Sequence, residues 1–366
     1  MNILREDLQA LAERAPAVDL ADRAVRGARR RRATRLAVTA AAVTCLVAGG
    51  GVTLLQQVRP APPVVLTPPE TAVPPLPARG AGPVEQAYLQ RCPALEESCA
   101  ERAWRIVTGG GDTYELDEAY EKGPLEVTAD GRRIAYYSSK HRGIVVRDLA
   151  SGRIWKAPLK QPAEDFAVEY ALRLSPGGLR FVVSGWGGRR EPNKLVDLER
   201  GTVTDLKRGW WPVSVSDGSG PVVLAKPYDR TSQVWVLGHE PITIRDFTYD
   251  YSALAPDGRT LARLGRVAPG DRGRQPTTRQ GGSIVVFDAL RGGGETRLPV
   301  SGIAEGLHLS RLGGWLNPAE VTALAAPEKP DGPASTVYAV DVRTGGSREL
   351  FTLREGGRNV VPGLVR

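Results

Sequence analysis

LEVTADGRRIAYYSSKHRGIVVRDLASGRIWKAP, residues 125–158, decides the fold of this chain. It contains an apolar strand, an Asp-Gly turn, a second apolar strand, a loop, a third strand ending in Asp148, a turn closed by Gly152 and a fourth strand. Asp-Gly favours a tight hairpin because Gly tolerates positive φ and Asp hydrogen-bonds to its own backbone. The stretch therefore predicts one four-stranded antiparallel sheet.

The same order of elements recurs toward the C-terminus. Further copies lie within 172–206, 213–244, 252–299 and 307–353, and an Asp followed four residues later by Gly recurs in most of them. A repeat of about 40–50 residues with four strands is typical of a β-propeller. One such sheet cannot cover its own apolar faces, whereas blades stacked around an axis bury them.

The number of blades follows from what remains outside the five copies. Strand-like stretches at 104–116 and 359–365 can complete one more sheet, closed by strands from both ends of the repeat region. We therefore predict an all-β fold, a six-bladed propeller over residues 104–366, with five and seven blades as the alternatives.

These motifs resemble those of TolB-like and WD-repeat-like propellers. The resemblance rests on the turns SPGG (175–178) and APDG (255–258) and on third strands that end in Asp with Gly four residues on. Trp-Asp never occurs and no Gly-His opens a unit, so the chain departs from the strict WD repeat. The resemblance implies a propeller and a binding role in assemblies, and it transfers no catalytic residue.

An uncharged apolar run precedes the repeats. Leu36–Leu55 would span about 30 Å as a helix, the thickness of a hydrocarbon core. The arginines of residues 29–35 lie directly before it, and positive flanks stay cytoplasmic. We predict a single-pass transmembrane helix at 36–58 in the plasma membrane, with the body extracytoplasmic. A cleaved signal peptide and a buried core helix are the alternatives.

The segments around this helix have distinct compositions. Residues 1–35 are predicted to be a partly helical cytoplasmic tail, which either docks a cytoplasmic partner or only sets the topology. Residues 59–83 are proline-rich and predicted to be an extended linker. An arginine-flanked anchor with such a stalk resembles membrane-tethered propeller proteins of high-GC Gram-positive (actinobacterial) bacteria.

Residues 84–103 are predicted to be a short connector that contains two cysteines. Cys92 and Cys99 would lie in an oxidising compartment, which favours a disulfide. In a continuous helix their Cα atoms would be about 10.5 Å apart, beyond bridging distance. The disulfide therefore requires a turn at Pro93, and two free thiols are the alternative.

Composition limits the chemistry of the body. The net charge is +8, but nine arginines against five acids in residues 1–35 supply half of it, which argues against nucleic-acid binding. The three histidines fall in three different units without metal-ligand spacing. We predict no catalytic residue, no cofactor and no metal.

Two sets of residues are candidates for a ligand surface. Trp186, Trp210 and Trp211 could form an aromatic platform for a glycan or a peptide, with packing between blades as the alternative. Arg272 and Arg274, in the arginine-rich insertion 266–280, could contact an anionic wall polymer or a partner protein, with a merely solvated loop as the alternative.

These features favour a non-catalytic binding or scaffold module for protein or cell-envelope ligands. One alternative is a propeller hydrolase or lyase, which would need a histidine or carboxylate set at the channel mouth. The other is a transmembrane sensor that signals through residues 1–35.

Overall fold

A computed structural model describes most of the repeat region and the segment just before it. The tail, the predicted membrane span and both connector cysteines lie outside the described residues. Those residues are 73–90, 103–166, 170–185, 192–228, 230–265, 282–329, 331–354 and 358–364. Within these ranges no helix is long and apolar enough to cross a membrane.

The described residues form six antiparallel sheets, which are the six blades. Blades one to three contain β1 (Val84–Leu89), β2 (Trp104–Thr108), β3 (Thr113–Leu116) with β23 (Asn359–Val360); β4 (Leu125–Val127), β5 (Arg133–Ser138), β6 (Gly143–Asp148), β7 (Ile154–Lys156); and β8 (Tyr170–Leu174), β9 (Arg180–Gly185), β10 (Lys194–Asp197), β11 (Thr202–Asp205). A short 3-10 helix, Ala163–Phe166, lies between blades two and three.

Blades four to six continue the same order along the chain. They contain β12 (Trp211–Val215), β13 (Val222–Pro227), β14 (Ser232–Val236), β15 (Ile242–Ile244); β16 (Thr260–Gly265), β17 (Ser283–Asp288), β18 (Thr296–Pro299); and β19 (Leu307–Asn317), β20 (Glu320–Pro327), β21 (Thr336–Asp341), β22 (Ser347–Thr352). Blade five has three regular strands. Its innermost position is taken by residues 251–255, where Tyr251 bridges Arg263.

The middle strands carry continuous apolar runs because each blade packs between two others. In β5, Tyr136 packs into a core shared with Trp104 of blade one. The next residue, Tyr137, packs into the core shared with Phe181 of blade three. Successive side chains of a strand point to opposite faces, so one strand supplies two different cores.

The ring is closed by strands from both ends of the described chain, as predicted. The C-terminal strand β23 is the innermost strand of blade one and pairs with β1 through Ala87–Val360 and Tyr88–Asn359. This confirms the six-bladed, all-β prediction.

The predicted start of the propeller at residue 104 was wrong. Val84–Leu89, assigned to the connector, is a strand of blade one, and Val84 and Ala87 are buried in it. The end of the proline-rich stretch also packs on blades one and two, where Leu76 is buried and Glu115 N donates to Pro74 O at 2.8 Å. Six residues with only partial apolar alternation give a weak strand signal, and pairing with β2 makes them a strand.

The propeller has two different faces. At the end where the innermost strands finish, the turn face, the chain makes short hairpin turns such as 128–132 and 216–221. At the opposite end, the loop face, the chain crosses from each blade to the next, as at 206–210, 245–250 and 300–306. Function is more often carried by such connecting segments than by tight turns.

Candidate functional site

A channel of about 380 Å³ runs along the propeller axis and opens at the turn face. Segments from all six blades line it. They include 126–129, 173–176, 213–216, 253–256, 314–315 and 363–364. Its ionisable lining residues are Glu126 and Arg173, whose side chains form a buried ion pair with 3.2 Å between Oε2 and an Nη nitrogen. These two charges largely neutralise each other.

Other polar groups of the channel wall hold blades together. Trp315 of blade six donates its indole N–H to Ala253 O of blade five at 2.8 Å. Ser214 of blade four accepts the Leu254 backbone N–H at 3.1 Å. Apart from the Glu126–Arg173 pair, the channel wall therefore consists largely of apolar side chains and of hydroxyls, some of which already form hydrogen bonds.

The histidines do not form a common site. His141 lies between β5 and β6, His239 between β14 and β15, and His308 within β19, on three different blades. None of them is among the residues lining the axial channel. Across the ranges described above, no group of three or more His, Cys, Asp or Glu side chains is arranged to hold a metal ion.

The structure separates the two neighbouring tryptophans of the predicted platform. Trp210 is only 3% exposed and packs with Val182 of blade three and Trp235 of blade four, with ring centroids of the two tryptophans 5.3 Å apart. For Trp210 the inter-blade alternative therefore applies. Trp211 begins β12 on the loop face and is partly exposed.

The other three candidates, Trp186, Arg272 and Arg274, lie outside the described residues. Their assignment to a ligand surface stays a prediction.

Trp211 belongs instead to an aromatic patch on the loop face of blade four. We define the aromatic patch as Trp211, Tyr228, Phe247 and Tyr249. The centroid of the Tyr249 ring lies 6.1 Å from that of Trp211 and 5.4 Å from that of Phe247, and both pairs of rings meet edge to face. Tyr249 is 45% exposed and Tyr228, on the β13–β14 hairpin, is 43% exposed. Large exposed aromatic side chains grouped in this way are typical of binding surfaces.

Buried polar contacts fix the backbone beneath this patch. The Ser232 hydroxyl accepts the Thr248 backbone N–H at 2.9 Å and donates to Asp246 O at 2.9 Å. The Asp246 carboxylate in turn binds Arg263 of blade five at 2.6 Å. The crossing segment 245–250 is thus held by blades four and five, so its aromatic rings project from a positioned backbone.

Cations lie on the same chain segments as the aromatic patch. Lys226 Nζ lies 5.2 Å from the centre of the Tyr228 ring, a cation–π contact. Arg230 and Arg245 are exposed on the neighbouring hairpin and crossing segment. The nearby Asp246 is already paired with Arg263. In the sequence the segments 226–230 and 245–250 carry three cations and three acids (Asp229, Asp246 and Asp250), so the patch has individual cations beside it without a net positive charge from these segments.

Sequence reasoning missed Tyr228, Phe247 and Tyr249 because none lies in a repeat motif. A cluster of three aromatic residues at 247–251 was the available signal. That signal does not distinguish Tyr249, which is exposed, from Tyr251, which is buried. Their exposure is decided by the path of the segment as it crosses between blades.

The chain is similar to several solved propellers at low sequence identity. TolB from Acinetobacter baumannii matches with 16% identity and a TM-score of 0.46, over 76% of this chain and 67% of that one. The β-propeller domain of the trilobed protease from Pyrococcus furiosus matches with 14% identity and a TM-score of 0.43, over 74% and 82%. Oligogalacturonate lyase from Vibrio parahaemolyticus matches with 11% identity and a TM-score of 0.39, over 75% of each chain.

Neither a protein-family model nor a curated protein matches the sequence. The similarities to solved structures concern the fold alone, and the six sheets described above establish it. The fold and the site define the chain as a six-bladed β-propeller with an aromatic patch on its loop face.

Proposed function

We propose that this protein is a membrane-tethered, extracytoplasmic binding module, and that its aromatic patch holds an anionic polymer of the cell envelope. The observation that carries the proposal is the contact of partly exposed Trp211 with exposed Tyr249, with exposed Tyr228 and several cations on neighbouring segments of the same face. Aromatic rings provide flat apolar area for sugar or lipid-like groups, and the cations favour a negatively charged partner.

Individual cations beside the aromatic rings support an anionic polymer as the partner. Lys226, Arg230 and Arg245 lie on two adjacent segments whose backbones are joined through Ser232. Cations held on such a surface attract a repeating anion at several points at once, which raises the affinity of a polymer above that of a single unit.

Binding is favoured over catalysis by the arrangement of ionisable groups. Glu126 and Arg173 in the channel bond to each other, and the histidines lie on three separate blades. General acid–base chemistry needs a proton donor or acceptor positioned against a substrate. The hydrolase and lyase alternatives therefore gain no support from the geometry.

The tether is proposed from the sequence. Residues 36–58 are apolar and follow an arginine cluster, which supports an N-terminus in the cytoplasm and a propeller outside it. An actinobacterial origin belongs to the same proposal, and a sensor that signals through residues 1–35 is its alternative. Protease digestion of intact cells tests the orientation: the propeller should be cleaved from outside, and protection of the propeller would refute it.

The polymer proposal is tested by cosedimentation of the detergent-solubilised full-length protein with purified cell walls. Walls that retain their anionic polymers and walls stripped of them by mild acid are the two probes. We expect binding to the first at low salt, and a loss of about 30-fold or more in the Trp211→Ala/Tyr249→Ala variant, as for interface aromatic anchors.

The matched controls distinguish charge-dependent binding from nonspecific adsorption. Arg230→Gln/Arg245→Gln should weaken binding and reduce its salt dependence, whereas Arg291→Gln, an exposed arginine on the turn face, should bind like the wild type. Equal binding to stripped walls, or wild-type affinity in the aromatic double variant, would overturn the proposal and favour a protein partner elsewhere on the surface.

A further inference from the structure

A cavity of about 520 Å³ lies on the loop face of blade six. One wall is the crossing segment 303–307, which leads into β19, and the other consists of residues 328–333 of the hairpin between β20 and β21. Clefts of about 300–1,000 Å³ are typical of ligand pockets. The cavity is on a different blade from the aromatic patch, so the two surfaces can be tested separately.

Hydrogen bonds hold both walls of this cavity in place. Glu328 N donates to Gly306 O at 2.9 Å and so joins the hairpin to the crossing segment. Ala304 N donates to the hydroxyl oxygen of buried Tyr338 at 3.2 Å. Gly306 has φ +80°, and a Cβ there would lie 3.3 Å from Pro333 Cδ, so the walls approach closely at this point. The cavity is therefore formed before a ligand arrives, which lowers the cost of binding.

Apolar side chains form part of the lining. Leu307 is buried and Ile303 is partly buried in the core that blades five and six share. Pro333 lines the cavity from the hairpin and is exposed. A ligand in the cavity would cover the apolar surface that Ile303 and Pro333 still present to water, which favours a ligand with an apolar group of its own.

Carboxylates outnumber cations at this cavity. Glu305 on the crossing segment and Glu328 on the hairpin line it together with Lys329, and all three residues are exposed. With Asp331, segments 303–307 and 328–333 carry three acids and one cation, a net charge of −2. In the part of the chain that the structure describes, the side chains of Glu305 and Glu328 form no hydrogen bond or ion pair. One unpaired carboxylate on each wall favours a cationic group in the ligand.

We propose that this cavity binds a segment of a partner protein in which an apolar side chain neighbours a lysine or an arginine. The apolar side chain covers Ile303 and Pro333, and the cation interacts with Glu305 and Glu328. Charge complementarity selects a basic segment over an acidic one. A free small amine shares the cationic group but covers less of the apolar lining. This inference does not rest on the polymer-binding proposal, which concerns blade four.

Isothermal titration of the detergent-solubilised full-length protein with short capped peptides tests this site. The probe is acetyl-Arg-Leu-Leu-Arg-amide, and its controls are acetyl-Glu-Leu-Leu-Glu-amide, acetyl-Arg-Gly-Gly-Arg-amide and the free amine agmatine. We expect saturable binding of the probe at low salt, weaker binding at high salt, and affinities lower by about 10-fold or more for the controls. Agmatine that binds as tightly as the probe would overturn the assignment to a protein segment. No saturable binding of the probe would overturn the proposal as a whole.

Variants assign the binding to this cavity. Glu305→Gln/Glu328→Gln should weaken binding of the probe by about 10-fold, whereas Lys329→Gln should strengthen it by about 2-fold because a repelling charge is removed. A gain of affinity cannot arise from partial unfolding. Glu199→Gln, which changes an exposed glutamate on the turn face, and the double aromatic variant used for wall binding should both bind the probe like the wild type. Unchanged affinity in both the glutamate double variant and Lys329→Gln would overturn the proposal.

Discussion

Ring closure should depend strongly on the buried side chain of Gln86. The closing strand β23 pairs with β1 through only two residue pairs. Gln86, 2% exposed, adds three contacts across this junction: its amide nitrogen donates to Arg354 O at 3.0 Å and to Asn359 Oδ1 at 2.8 Å, and its amide oxygen accepts Arg354 N at 2.8 Å. These bonds join segments more than 260 residues apart.

Gln86→Ala removes all three bonds, which are partly buried. Each net hydrogen bond contributes about 0.5–1.5 kcal/mol. We therefore expect the free energy of unfolding to fall by about 2–4 kcal/mol. Equilibrium unfolding in urea, followed by tryptophan fluorescence, measures this difference.

Glu85→Ala is the matched control, because Glu85 neighbours Gln86 on β1 and is only partly buried. It should change stability by less than about 0.5 kcal/mol. Hydrogen exchange gives a second measurement: the amides of Arg354 and Leu89, which bond across the junction, should exchange faster in Gln86→Ala. If both variants unfold at the same urea concentration and exchange is unchanged, closure does not depend on this side chain.

Two further predictions concern the repeated turns. Gly131 has φ +71°, and a Cβ there would lie 2.4 Å from Val84 O, whereas Gly218 has φ +56° with open space around it. Gly218→Ala should lower the free energy of unfolding by about 1–2 kcal/mol, and Gly131→Ala should lower it clearly more. Equal decreases for the two variants in urea unfolding would contradict this. The Ser151 backbone N–H, bonded at 2.9 Å, is the first cause that lowers the pKa of Asp148. The folded-state pKa of Asp148 is thus below its unfolded value of about 3.9, so the ionised carboxylate stabilises the fold above about pH 3.9 and this stabilisation is lost as the pH falls through the folded pKa. In Asp148→Asn the free energy of unfolding should therefore fall less steeply between about pH 5 and 2 than in the wild type. An unchanged pH profile would refute the assignment.

The repeat architecture was predictable because its signals are local. Asp148 and Gly152 lie within one turn, where Asp148 accepts the Ser151 N–H and Gly152 adopts φ +75°. The middle strands are apolar on both faces, which indicates burial between two layers before any partner is known. Blade number followed from counting these units and the remaining strand-like ends.

The candidate site was only partly predictable. Trp210 and Trp211 are adjacent in sequence, but their side chains point in different directions, so one lies in the core between blades and the other on the surface. Tyr249 joins Trp211 because segment 245–250 crosses the loop face on contacts to Ser232 and Arg263. No periodicity in the sequence encodes that crossing.

The sequence by itself determined that this chain repeats a four-stranded unit and where most of its turns fall. The reason is that turns and buried strands are encoded by residues that are close together in the sequence. Only the tertiary structure decided that β1 begins the ring, that Gln86 joins its ends, and that Glu126 and Arg173 pair in the axial channel. The physical reason is that these groups come from distant segments and meet only when six blades close around a common centre.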